Sequence, residues 1–130
     1  MGRSILAVLM GFVITGLLVT GTDQVFSFAI VGFDRLTTLP DYYYVISLVT
    51  TGTYCVVGGW TCAAIVRKNI PKHTRILMLP CELAVIALAA SLWKSTVPHY
   101  FFLALLVLCP LGVQFGSRSF GWTRPEPEKR

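Results

Sequence analysis

The sequence predicts an all-α integral membrane protein, a bundle of four transmembrane helices with both termini on the cytoplasmic side. Three observations lead there. Charged residues make up 13% of the 130-residue chain, about half of the roughly 25% usual in soluble domains, and the mean hydropathy is +0.69. Four stretches are apolar all round rather than along one stripe, and each is near or above the roughly 18 to 20 residues that cross hydrocarbon. Nine of the eleven Lys and Arg fall in the N-terminus, the second connection and the C-terminal tail, and short cation-rich segments stay in the cytoplasm.

The first span is expected over about residues 5–22, started by Arg3, and covers roughly 27 Å at ~1.5 Å per residue. A cleaved leader is not expected, because the apolar run is longer than the usual core of a signal peptide and no A-x-A precedes a cut. Asp23 and Gln24 mark the outer end of this helix. The apolar run from Val25 to Phe33 is too short to cross alone, and either extends the first helix or lies along the interface.

Pro40 and Asp41 introduce the second span, about 42–66, with Asp41 placed to cap the positive end of its dipole. Tyr42, Tyr43 and Tyr44 read as an interfacial aromatic anchor. The middle of the span, TTGTYCVVGGWTC, is dense in small and hydroxyl residues, so this helix is expected to face other helices. Gly58 and Cys62, and Gly59 and Ala63, are four apart, which lets two backbones approach.

Four cations, Arg67, Lys68, Lys72 and Arg75, form the second connection and are positioned to contact anionic lipid headgroups. The third span, about 76–93, carries Pro80, which leaves the Ile76 carbonyl without its usual amide partner. Its later half, with Ala84, Ala87, Ala89, Ala90 and Ser91, is a small-residue surface. A brief outer turn makes spans three and four an antiparallel hairpin. The fourth span, about 99–117, contains Pro110 and a GxxxG pair, Gly112 and Gly116, a common pattern that permits close crossing. Residues 1–118 thus form one transmembrane domain, and 119–130 a polar cytoplasmic tail with Trp122 at the interface.

Counting residues from the cytoplasmic boundary puts Glu82 and Gln114 at a similar depth, with Trp60, Thr61 and Gly11 near the same plane. These form a candidate polar layer in which Glu82 bonds Gln114 or Thr61. An unpaired ionised carboxylate there costs several kcal/mol, so Glu82 is expected to be protonated, hydrated or matched by donors. Either it glues helices or it exchanges a proton for a substrate.

Other chemistry is not indicated. Cys55, Cys62, Cys81 and Cys109 all fall inside spans, with no CxxC and no His at ligand spacing, so they read as soft packing residues rather than a disulfide framework or metal site. His73 and His99 read as surface residues. No Ser/His/Asp set, HExxH or GxxxxGK is present, so neither an enzyme nor a cofactor is expected. A net charge of +5 would suggest nucleic acid in a soluble domain, but these cations flank apolar spans, and the expected partner is the lipid bilayer, not nucleic acid.

The opening ILAVLMGFVITG, the GGWTCAAIV followed at once by a basic loop, and the closing PHYFFLALLVLCPLGVQFGS resemble a loose group of small bacterial four-span membrane proteins of unknown function. That group begins with a Gly-containing span and carries a GG-aromatic-x-x-A segment, here Gly58, Gly59, Trp60 and Ala63. The resemblance covers most of the chain and implies a bacterial inner-membrane address and four helices, with no activity or catalytic residues. Size and span number are also similar to the small multidrug resistance transporters, but those carry a membrane-embedded Glu in the first span, where this chain has none. The polar track of the fluoride channels is absent too. The function expected is that of an accessory or interaction subunit that packs against other membrane proteins or a second copy of itself; the alternative is a small proton-coupled transporter or exporter centred on Glu82.

Overall fold

The computed structural model describes the backbone of residues 2–31, 40–66, 69–95 and 97–122, and side chains within those segments except at a few terminal positions. It contains four helices, α1 (Gly2–Val31), α2 (Asp41–Val66), α3 (Ile70–Leu92) and α4 (His99–Trp122). All four are long and apolar enough to cross a membrane. No strand occurs among the described residues.

The helix ends differ from the expected spans in three places. α1 does not stop at Thr22 but continues through Val25 to Val31; no proline interrupts this stretch, and Phe26 packs against the core, so the short apolar run extends the helix. α3 starts at Ile70, six residues before the expected span. Asn69 adopts a left-handed conformation with φ 51°, a geometry that Asn tolerates better than most residues, and accepts the Lys72 amide at 3.1 Å. Pro71 fits the first turn, where its missing amide proton leaves no intrahelical bond unmade. Lys72, His73 and Arg75 therefore ride on a helix and not on a loop. Finally, α4 runs on to Trp122, so the helix continues four residues into the segment expected to be tail; the Trp122 side chain and residues 123–130 lie outside the described residues.

α2 is the hub. It packs against each of the other three helices, most extensively against α4 and α1, while α1 and α4 make no contact among the described residues. The shared core runs along α2 and α4 through Tyr44, Cys55, Phe102, Leu105, Cys109 and Val113, with Leu77 and Cys81 from α3 and Ala7 from α1. Because lipid tails are as apolar as these side chains, helices in a bilayer hold together by van der Waals fit and interhelical hydrogen bonds rather than by hiding oil from water. The outward face is accordingly apolar: Ile5, Leu9 and Leu17 on α1, Leu79 and Leu83 on α3, and Leu103, Val107 and Leu111 on α4 are all exposed.

The α3–α4 hairpin forms as the brief turn requires. Ser95 donates its amide to the Leu92 carbonyl at 2.9 Å, and Phe101 bonds the Pro98 carbonyl at 3.0 Å. Trp93 and His99 meet edge to face across the turn, their ring centroids 4.4 Å apart.

The tyrosine triplet does not act as one anchor. Consecutive helical residues point about 100° apart, so only Tyr42 faces outward at 57% exposure, whereas Tyr43 and Tyr44 are buried at 8% and 5%. Tyr44 lies edge-on to Phe101 at 5.5 Å.

Candidate functional site

The residues expected to bring helices together do so, but inside the bundle. A methyl group built on Gly59 would fall on the Val113 backbone carbonyl, with Val113 Cα 2.9 Å away. One built on Gly116 would fall on the Val56 carbonyl, with the Trp60 amide nitrogen at 3.0 Å. Gly112 abuts the Gly52 carbonyl at 2.9 Å, and Ala63 is fully enclosed. The α2–α4 seam is thus backbone against backbone, and any side chain larger than hydrogen at these positions has nowhere to go.

About 100° around α2 from Gly59, Gly58 meets α1. Its missing side chain makes room for the Thr15 hydroxyl, and the Gly11 carbonyl stands 3.0 Å from the same point. Gly11 in turn abuts the Gly58 carbonyl, Leu77 of α3 and Cys62, so it marks the junction of three helices.

A row of polar groups continues along this α1–α2 seam. The buried Thr15 hydroxyl donates to the Gly11 carbonyl at 2.8 Å, with the Tyr54 carbonyl at 3.4 Å. Thr22 and the Tyr54 hydroxyl share a bond of 2.8 Å. The Ser47 hydroxyl donates to the Asp23 carboxylate at 2.9 Å, and the Tyr43 hydroxyl reaches the Asp23 carbonyl at 3.5 Å. Asp23 is therefore tied to α2 rather than hanging from a helix end, while Gln24 beside it is exposed. Ser47, Tyr54 and Thr15 were not singled out from the sequence, yet a signal existed: Tyr43, Ser47, Thr51, Tyr54 and Gly58 recur at spacings of three and four, and Thr15 and Thr22 are seven apart, so each set shares one helix face.

The expected polar layer around Glu82 does not close. The Thr61 hydroxyl is turned back to the Val57 carbonyl of its own helix at 2.8 Å. Gln114 is exposed, and its amide nitrogen lies 4.0 Å from the Met78 sulfur, which places it one turn short of Glu82. Trp60 sits 44% exposed with its ring edge-on to Phe120 at 5.8 Å. Glu82 is half-buried and makes no hydrogen bond or ion pair among the described residues. The depth count that equated Glu82 with Gln114 started from Ile76, and the register of the α3–α4 pair, set by the Met78–Gln114 contact, separates them by a turn.

The four cysteines are buried and unpaired by disulfides, in keeping with packing residues. Cys55 and Cys109 face one another across the α2–α4 seam. Among the described residues no group of His, Cys, Asp and Glu is arranged to hold a metal. Of the four basic residues expected at headgroups, Lys72 and Arg75 are exposed on the first turns of α3, whereas Arg67 and Lys68 lie outside the described residues.

Two small-residue surfaces remain uncovered. On α3 these are Ala84, Ala87, Ala90 and Ser91, all exposed, the Ser91 hydroxyl being satisfied by the Ala87 carbonyl at 2.8 Å. On α1 they are Gly16 and Gly21, neither of which has anything within 4 Å of where a side chain would begin. Comparison with protein families, characterised proteins and solved structures finds no match to this chain.

Proposed function

We propose that the chain is an accessory or interaction subunit of a membrane assembly, docking against another membrane protein or a second copy of itself. One observation supports this reading. The small residues of α2 and α4 are consumed by packing within the bundle, while Ala84, Ala87 and Ser91 of α3, at helical spacings of three and four, are left facing outward. Small side chains gain little against lipid tails, but they let a second helix come close enough for its backbone to pack. The reading places both termini and the α2–α3 connection in the cytoplasm of a bacterial inner membrane, following the distribution of Lys and Arg, and assigns no catalysis and no cofactor.

The test is extraction in native lipid followed by sizing. A discrete complex larger than one chain is expected, and Ala87→Leu with Ser91→Leu is expected to release a folded monomer. A strictly monomeric wild-type particle would refute the reading. Labelling of Lys72 or Arg75 from outside intact cells would refute the orientation.

Glu82 supports a second reading, that of a proton-linked transporter. It is a half-buried acid without a partner among the described residues, and such groups within a membrane are costly enough to carry function. On that reading Glu82→Gln abolishes substrate-dependent proton movement in vesicles while the protein stays folded; on the interaction reading there is no such movement to lose.

A further inference from the structure

Where α3 begins and α4 nears its end, the two helices border a recess of about 380 Å³. Pro71, Arg75 and Met78 line it from α3, and Gln114, Ser117 and Arg118 from α4. Both arginines are exposed, and neither forms an ion pair or hydrogen bond among the described residues. No carboxylate lines the recess. The nearest acid along α3 is Glu82, seven residues and roughly 10 Å farther up the helix at ~1.5 Å per residue.

The other polar groups of the recess are arranged around those two charges. The Thr74 hydroxyl, which also lines it, is spent on the Ile70 carbonyl at 2.9 Å, and the Ser117 hydroxyl on the Gln114 carbonyl at 2.9 Å. The Gln114 amide has only the Met78 sulfur at 4.0 Å, a weak acceptor that a better one readily displaces. The charged groups of the recess are thus two guanidinium forks, donors only, beside an amide whose nitrogen is held by nothing stronger than a thioether. Guanidinium matches a phosphate in bidentate geometry, and α3 directs the positive end of its dipole at the same place.

The position decides which phosphate. The recess lies at the ends of two helices apolar enough to cross a membrane, and farther along them the exposed surface is apolar, with Leu79 and Leu83 of α3 and Leu103 and Val107 of α4 outward. A soluble anion would use the donors but not this apolar wall. A phospholipid uses both, and basic pockets between helices at the cytoplasmic boundary are where anionic headgroups settle. We infer that Arg75 and Arg118, with Gln114 between them, form a binding site for the phosphate of one anionic phospholipid whose acyl chains lie along α3 and α4. This is a specific cleft site built partly from α4, distinct from diffuse attraction to the basic second connection, and it stands whether or not the chain docks a partner.

Native mass spectrometry of the full chain in detergent, with added phosphatidylglycerol or phosphatidylcholine, tests it. Retained phosphatidylglycerol adducts in excess of phosphatidylcholine are expected. Each arginine lost is expected to weaken retention about fivefold, and the pair Arg75→Gln with Arg118→Gln about thirtyfold, as follows from ~1 kcal/mol per cation near an anionic headgroup. Arg67→Gln with Lys68→Gln removes the same charge from the connection and is expected to cost much less. If the double variant loses helical content, Arg118→Gln alone, at an exposed position, carries the comparison. Equal retention of the two lipids, or equal losses from the two double variants, would overturn the site. So would full displacement of the lipid by millimolar inorganic phosphate, which would assign the donors to a soluble anion.

Discussion

The two faces of α2 hold their neighbours by different means. Toward α4 the contact is steric: Gly59 against Val113, Gly116 against Val56, with no polar side chain between them. Toward α1 one close backbone approach, Gly11 against Gly58, is continued by a ladder of side-chain bonds, Thr15 to the Tyr54 carbonyl, Thr22–Tyr54 and Asp23–Ser47. A seam of glycines depends on many weak contacts at short range, each lost as soon as backbones separate. A ladder of hydroxyls tolerates some separation, because each bond breaks singly and can be remade.

The largest expected effect tests the steric seam. In Gly59→Ala the new methyl meets a carbonyl of the helix backbone, which no rotamer change can move, so the cost is expected at the top of the range for overpacking, about 3 kcal/mol, read from unfolding in mixed micelles. A loss below about 0.5 kcal/mol, the range of an ordinary surface change, would mean that the two helices are not in backbone contact.

Gly58→Ala is expected to cost less, about 1 to 2 kcal/mol, because the first obstacle is the Thr15 side chain. Adding Thr15→Ala is expected to recover part of the loss. Absence of recovery would place the α1 contact on the Gly11 backbone and bring this seam closer in kind to the other.

Ser47→Ala removes the donor to a half-buried carboxylate and is expected to cost about 1.5 kcal/mol, near the upper limit of interhelical bonds in membranes. Tyr54→Phe, which leaves no charge exposed, is expected near the mean of about 0.6 kcal/mol. Both are measured by the same unfolding assay, and reversal of their order would show that Asp23 is not held by Ser47. The smallest effect is at Gly16→Ala, where nothing lies within 4 Å: stability is expected to stay within about 0.5 kcal/mol.

Much of this architecture was legible because its cause is local. Apolar runs of crossing length register in any window of sequence, and Gly58, Gly59, Gly112 and Gly116 announce close approach wherever they fall in such a run. What the residues did not reveal was which surface each glycine would meet; all four turned out to be used within one chain. α3 starts ahead of its apolar run because Lys72 and Arg75 lie on its first turns, and charge marks a boundary of the hydrocarbon more reliably than a boundary of the helix. The Glu82 layer failed for a geometric reason: equal counts from two assumed boundaries do not fix the register of two tilted helices. The α1–α2 ladder is less legible, because the partner of a single hydroxyl in an apolar segment is fixed only when two helices lie side by side.

The reach of α1 has a consequence for the lipid around it. Its apolar stretch, Ile5–Ala29, has 25 residues, about 37 Å at ~1.5 Å per residue, against a hydrocarbon thickness of about 30 Å. A stretch longer than the hydrocarbon is accommodated by tilting, by kinking or by local thickening of the bilayer, and α1 runs unbroken from Gly2 to Val31. A thicker bilayer is expected to let it stand straighter, with the load falling first on the bonds farthest along α1, Thr22–Tyr54 and Asp23–Ser47. Bilayer thickness is therefore expected to act on the α1–α2 seam before it reaches the α2–α4 seam.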